Sequence, residues 1–211
     1  MRYFGIHNHT HYSNIRLLDS INRPKDLINK AIEYGMTGIA ITDHECLSSH
    51  VEVVQHAKSI REKHPDFRVA LGNEIYLTET RDKSQKYFHF ILIAKDAIGH
   101  RALRELSSTA WYNSYHDRGM ERVPTLKSEL KEVLNKYKGH VIGSTACLGG
   151  EFSQLVLKLI ELETNNGSLI EINNIKGQIV NFLEEMKSIF GDDFYVEVAP
   201  GTGAEQVAVN R

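Results

Sequence analysis

Ile6-His7-Asn8-His9-Thr10-His11-Tyr12-Ser13 follows a short apolar run, Tyr3-Phe4-Gly5-Ile6, that reads as a β-strand. Side chains two apart on an extended backbone point to one side. Three histidines at alternate positions therefore leave the strand's end together, of which His7 and His9 are placed to grip one metal ion and His11 reads as a surface or structural residue. The theme recurs at Gly38-Ile39-Ala40-Ile41-Thr42, a second apolar run followed by Asp43 and His44. Residues of metal-ligand type at the C-terminal tips of successive strands, each followed by a helix, are how a βα barrel builds a site at its top face. The repetition, more than any single tip, points to that architecture.

At 211 residues with 41% hydrophobic and 25% charged side chains, the chain has the make-up of one globular domain with a buried core. Its formal charge of -2 offers no bulk attraction to nucleic acid, so a polyanionic substrate would depend on bound cations for its positive field. Two cysteines, Cys46 and Cys147, have neither zinc-knuckle nor disulfide-framework spacing, which suits a reducing compartment. The N-terminus lacks a signal-peptide profile and no window approaches a membrane span. A cytoplasmic location is expected.

Working outward, Pro24 opens a helix that Gly35 closes, with Leu27, Ile28, Ala31 and Ile32 on its inner face. A helix from about Ser48 to Lys63 follows the second strand. A third strand, from Phe67, runs into Asn73-Glu74-Ile75-Tyr76-Leu77, and the polar segment 78–86 reads as a loop. Tyr87 to Ala94 is almost continuously apolar, as a strand covered on both faces should be, with His89 the exception. Helical patterns then cover 96–116 and the segment carrying Leu126, Leu130, Val133, Leu134 and Tyr137, with 119–124 as a connector. His140 to Ser144 forms a strand that leads into Thr145-Ala146-Cys147-Leu148-Gly149-Gly150-Glu151, a glycine turn before a helix. A long amphipathic helix ends at Gly191, and Phe194 to Val198 makes the last strand. Residues 204–211 read as the start of a helix, so a C-terminally truncated domain is expected. Alternating strands and helices predict an α/β fold on a parallel sheet.

The candidate ligands at or just past strand ends are His7, His9, Asp19, His44, Glu74, His89 and Cys147. Imidazole, carboxylate and thiolate together suit zinc, manganese or iron, whereas magnesium and calcium prefer oxygen alone. Any one of these residues taken singly reads as a hydrogen-bonded core group. Seven of them at the tips of five strands read as a site. Asp43 is expected to orient a ligand rather than bind metal. A rival reading makes Cys147 a catalytic thiol activated by a histidine and a helix N-terminus, but it leaves His7, His9 and Glu74 unemployed. The cluster Trp111-Tyr112-Asn113-Ser114-Tyr115 could stack on bases of a single strand, although packing of a helix is its simpler use.

These motifs together resemble a PHP (polymerase and histidinol phosphatase) domain over the whole chain. His7-Asn8-His9 and Thr42-Asp43-His44 belong to that superfamily at large. Leu17-Leu18-Asp19, Asn73-Glu74-Ile75-Tyr76 and Cys147-Leu148-Gly149-Gly150-Glu151 are similar to the branch found at the N-terminus of bacterial DNA polymerase III alpha subunits. The resemblance implies a distorted (β/α)7 TIM-like barrel with up to three divalent metal ions at its top. One ion would take His7, His9 and Glu74, another Glu74, His89 and Cys147, and a third Asp19 and His44, with the first completed by the aspartate and the third by the histidine of an Asp-x-His motif expected beyond residue 211. It implies phosphoester hydrolysis, in polymerases a 3′–5′ exonuclease. It also implies DNA as partner, with polymerase palm and thumb domains in cis and proofreading and sliding-clamp subunits. The alternatives within the resemblance are a free-standing phosphatase of the histidinol-phosphate type and a non-catalytic scaffold.

Overall fold

The computed structural model describes residues 3–15, 18, 20–117 and 119–211. Asp19 lies outside the described residues. The first half of the chain runs β1 (Phe4–Gly5), α1 (Pro24–Glu33), β2 (Gly38–Ile41), α2 (His50–Ile60), β3 (Arg68–Thr78), β4 (Phe88–Ala94) and α3 (Ala97–Tyr112). There follow β5 (Tyr115–Asp117), β6 (Met120–Arg122), β7 (Pro124–Leu126), α4 (Lys127–Lys136), β8 (Val141–Ser144), α5 (Glu151–Thr164), α6 (Leu169–Phe190), β9 (Phe194–Tyr195) and α7 (Ala204–Val209). The helix boundaries have local causes. Pro24 occupies the first turn of α1, where its missing N–H costs nothing. The Asp96 side chain accepts from the N–H groups of Ile98 and Gly99 to start α3, and Ser168 with Glu171 forms a capping box on α6.

Seven strands form one sheet in the order β1-β2-β3-β4-β8-β9, with β7 also on β3. β1, β2 and β3 are parallel, as are β8 and β9, but β4 is antiparallel to both β3 and β8. The expectation of a wholly parallel sheet is therefore corrected at β4. The polar segment after β3 carries no crossover helix, and only a helix-length connection can return the chain to run parallel. The reversal brings the beginning of β4, where His89 sits, to the end of the sheet at which its neighbours finish. The connector expected at 119–124 is instead a small hairpin of β5 and β6, with Gly119 at φ 77, leading into β7.

Period-two alternation divides the side chains between two layers. Ile75, Leu77, Phe90 and Leu92 pack outward against Leu103, Leu106, Leu130 and Met186 of the covering helices. Ile39 and Ile41 do the same against Ile28 of α1 and Val53 of α2. Each fully buried side chain of this size contributes roughly 1.5–3 kcal/mol. The opposite face carries Ala40, Ile91, Ile93 and Ala146 as a small inner cluster. Glu74 pairs in register with Ile91 and so stands on that inner face. The sheet curls like half a barrel, and its two terminal strands lead to residues that touch: His7, past β1, bonds Glu197, past β9.

Candidate metal centre

Beyond β1 the chain stays extended alongside β2. Asn8 donates its N–H to Thr42 Oγ1 at 2.9 Å and its side-chain amide to the Ala40 carbonyl at 3.0 Å. With Asn8 laced to one side, His7 and His9 emerge on the other. At Thr10 the path bends, because Asp43, fully buried, accepts from Thr10 N–H at 2.6 Å and from the hydroxyls of Thr10 and Ser13 at 2.9 Å. A 3₁₀ turn then spans His11–Ile15. It ends the alternation, so the third histidine does not join its partners: His11 turns to the Asn22 carbonyl and the Tyr12 ring.

Glu74 is the hub. Its side chain is 0% exposed, and four imidazoles surround it: His7 Nε2, His9 Nε2 and His44 Nδ1 lie 3.3, 3.1 and 3.0 Å from Oε2, and His89 Nδ1 lies 2.6 Å from Oε1. By distance these are ion pairs, yet neither carboxylate oxygen has a hydrogen-bond partner among the described residues. Alignment decides here, since a close N···O contact without an aimed N–H forfeits most of the bond. A buried, unsatisfied carboxylate is costly unless a charge answers it. The donors His7, His9 and Glu74 lie together, as do His44, Glu74 and His89, with Glu74 in both groups. His7 Nε2 and His9 Nε2 are 3.0 Å apart, close to the roughly 3.4 Å that separates donors sharing one tetrahedral ion. Imidazole nitrogens converging on a carboxylate that has no hydrogen bond among the described residues fit a divalent cation.

Tautomers are set from behind. Ser13 gives its only hydroxyl proton to Asp43, so at the 3.3 Å contact with His9 Nδ1 the imidazole donates, leaving Nε2 as a free lone pair. Asp43 thus reaches His9, a candidate ligand, through Ser13, which also accepts the His44 N–H at 3.1 Å. Glu197 accepts from His7 Nδ1 at 2.9 Å, which keeps a proton on that nitrogen and turns Nε2 to Glu74. Burial opposes charge on His7, but the carboxylates of Glu197 and Glu74 outweigh it and raise the imidazole to about 10. His89 is likewise raised to about 10 against burial, by Cys147 and Glu74. Burial would push Glu74 up, yet His44, His7, His89 and His9 hold it well below the usual carboxylate range.

Cys147 Sγ lies 3.6 Å from His89 Nδ1 and accepts from Gly149 N–H at 3.4 Å. Its turn is shaped by close approach. A Cβ on Gly149 would stand 3.0 Å from the His89 ring, and one on Gly150 would stand 2.0 Å from the Thr145 carbonyl oxygen. Glycine is needed here for contact, and the turn leads into α5 as a helix start. Two left-handed residues flank the ligands, Glu45 at φ 51 just after His44 and Ala146 at φ 60 just before Cys147. Each costs about 1–2 kcal/mol, strain of the kind that gathers at sites.

Two participants were not read from the sequence. Glu197 is a lone acid in the run Phe194-Tyr195-Val196-Glu197-Val198, the same tip signal that flagged Glu74, overlooked because no histidine accompanies it. Tyr76 lies two residues past Glu74 on the inner face, where its ring stacks on His89 at 4.8 Å and its hydroxyl lies 3.3 Å from His44 Nδ1.

The family model described as the PHP domain matches residues 5–200. The chain belongs to the PHP domain family. Among relatives, the DNA-directed DNA polymerase of Bacillus phage SPbeta is 41% identical over 219 residues, covering 98% of this chain and 17% of that polymerase. DNA polymerase III subunit alpha of Borreliella burgdorferi is 28% identical over all of this chain and 16% of its own length. The corresponding subunit of Aquifex aeolicus is 29% identical over 98% of this chain and 16% of its own. This PHP domain thus spans about one sixth of the length of the polymerases it matches. Among the described residues no helix is long and apolar enough to cross a membrane.

Proposed function

We propose that this PHP domain is a divalent-metal centre that hydrolyses phosphoesters at the 3′ end of DNA, working as the N-terminal part of a replicative DNA polymerase. The observation that carries the reading is Glu74, a buried carboxylate without hydrogen bonds among the described residues, inside a ring of imidazoles. His7, His9 and Glu74 hold one ion, and His44, Glu74 and His89, with Cys147 beside His89, hold another. Asp19 with His44 is kept as a third set by resemblance. Zinc, manganese and iron suit these donors, the soft sulfur of Cys147 weighing against magnesium. Bound divalent ions polarise phosphoryl oxygens and bring the pKa of a coordinated water near neutrality.

The chain's own residues prepare that chemistry. Glu74 stays anionic, Glu197 and Ser13 hold the protons of His7 and His9 on the side away from the centre, and the Asp43 network keeps both histidines in place. A chain of net charge -2 draws a phosphate only where cations concentrate. The polymerase context rests on the relatives and brings with it DNA, palm and thumb domains in cis, proofreading and sliding-clamp subunits, and a cytoplasmic location.

The test is single-turnover incubation of the metal-loaded chain with 5′-labelled single-stranded DNA and, separately, histidinol phosphate. Mononucleotide release from DNA, abolished by chelation and by Glu74→Gln, is expected. Hydrolysis of histidinol phosphate alone would transfer the reading to a free-standing phosphatase, and loaded but inert protein would transfer it to a scaffold.

A further inference from the structure

A hollow of about 460 Å³ adjoins the metal centre across the loop that carries His44. One wall is a face of α3, where Arg104, Ser107, Ser108 and Trp111 recur at helical spacing. The facing wall carries the Ser48 hydroxyl and the apolar side chains of Leu47 and Ile15. The hollow and the centre share a turn. Trp111 Nε1 donates to the Glu45 carbonyl at 2.7 Å, and Glu45 N–H donates to the Glu74 carbonyl at 2.8 Å.

This wall has three features that its own packing leaves unused. Arg104 is exposed and makes no hydrogen bond or ion pair among the described residues. The indole has spent its single N–H on Glu45, so only its ring is on offer, and among the described residues no other aromatic ring stacks on it. Ser107 and Ser108 line the space between cation and ring. A fork-shaped cation with hydroxyls matches a phosphate, and an aromatic face matches a base. A simple anion would have no use for the indole, and a purely apolar ligand none for the arginine. The volume lies within the range of small-ligand sites.

We infer that this hollow is a nucleotide subsite, holding one base of the substrate strand against Trp111 and its phosphate on Arg104, one step from the metal centre. The inference rests on the reading of DNA as substrate and adds the residues that seat it. It makes Trp111 and Arg104 positioning residues.

Trp111 is the single tryptophan in the chain, so intrinsic fluorescence reports the subsite directly. The metal-free protein is titrated with dTMP, thymidine and inorganic phosphate. Saturable quenching by dTMP is expected, with thymidine and phosphate each at least tenfold weaker. Arg104→Gln should weaken dTMP at least tenfold while leaving metal content and thermal midpoint unchanged. No quenching by millimolar dTMP, or equal quenching in Arg104→Gln, overturns the subsite. Because the titration uses no metal, the two readings separate: quenching without DNA hydrolysis supports the subsite and sinks the hydrolytic assignment, whereas hydrolysis without quenching does the reverse.

Discussion

His7 Nδ1 and Glu197 Oε1 meet at 2.9 Å although 190 residues separate them. The contact joins the segments that follow the two outer strands of a curled sheet and holds a proton on Nδ1 of a candidate ligand in the same stroke. Glu197→Ala removes the acceptor and should weaken metal binding about 10–100-fold, the usual effect of losing a carboxylate behind a ligating histidine. Glu197→Gln keeps an acceptor oxygen and should lose less than about tenfold. Chelator competition measures both. Unchanged affinity in the alanine variant would mean that the contact serves only to close the sheet.

Glu74 stands in both donor groups, so its loss should exceed that of any residue behind them. Glu74→Gln preserves shape but removes the anion that the imidazoles answer. Metal affinity should fall by roughly 100-fold or more, beyond the range seen for supporting residues. Elemental analysis after gel filtration gives the result, and wild-type stoichiometry in the variant would remove Glu74 from the centre.

The paired glycines should separate stability from function. Gly150→Ala drives a Cβ to 2.0 Å from a backbone carbonyl, which has no soft atom to yield. A loss of about 1–3 kcal/mol or more is expected in denaturant unfolding. Gly149→Ala meets the His89 ring at 3.0 Å, a side chain that can tilt. It should unfold within about 1 kcal/mol of wild type yet bind metal less tightly. The opposite ranking would contradict the contacts at this turn.

His50 gives a pH signature away from the centre. Its Nε2 donates to the Gly72 carbonyl at 2.9 Å, and its Nδ1 accepts from His100 at 3.0 Å. Burial lowers its pKa to about 4, which the Gly72 carbonyl only partly opposes. The unfolded chain, titrating near 6.5, therefore binds the proton first as pH falls. The stability that His50 contributes is complete above about 6.5 and is lost progressively toward 4. His50→Gln should flatten this part of the acid limb in urea unfolding from pH 7 to 4.5, and an identical limb would show that other groups dominate it.

Much of the centre was legible because ligand chemistry at a strand tip interrupts an apolar run. His7, His9, His44, Glu74 and His89 all do so, and the structure brings them together. The direction of β4 was not legible, since a continuous apolar run carries no polarity and only the missing crossover helix after β3 could reveal it. β5 and β6, three residues each, are too short for any period to register. His11 shared the spacing of its partners and still left them, because Asp43, distant in sequence, bends the backbone at Thr10.

The antiparallel pairing of β3 with β4 also sets an order of assembly. Glu74 and His89 are about 15 residues apart and are linked by one hairpin, whereas His7 and Glu197 must find each other across the whole chain. Loop-closure entropy makes the longer search dearer by about 2 kcal/mol. In pulse-labelled exchange, amides of β3 and β4 should gain protection before the Glu197 N–H, which rests on Thr145 Oγ1. Simultaneous protection would refute the order. Half of the centre is thus made early by neighbours in sequence and half late by the two outer strands of the sheet, so chelation should loosen β1 and β9 first and leave the central hairpin standing.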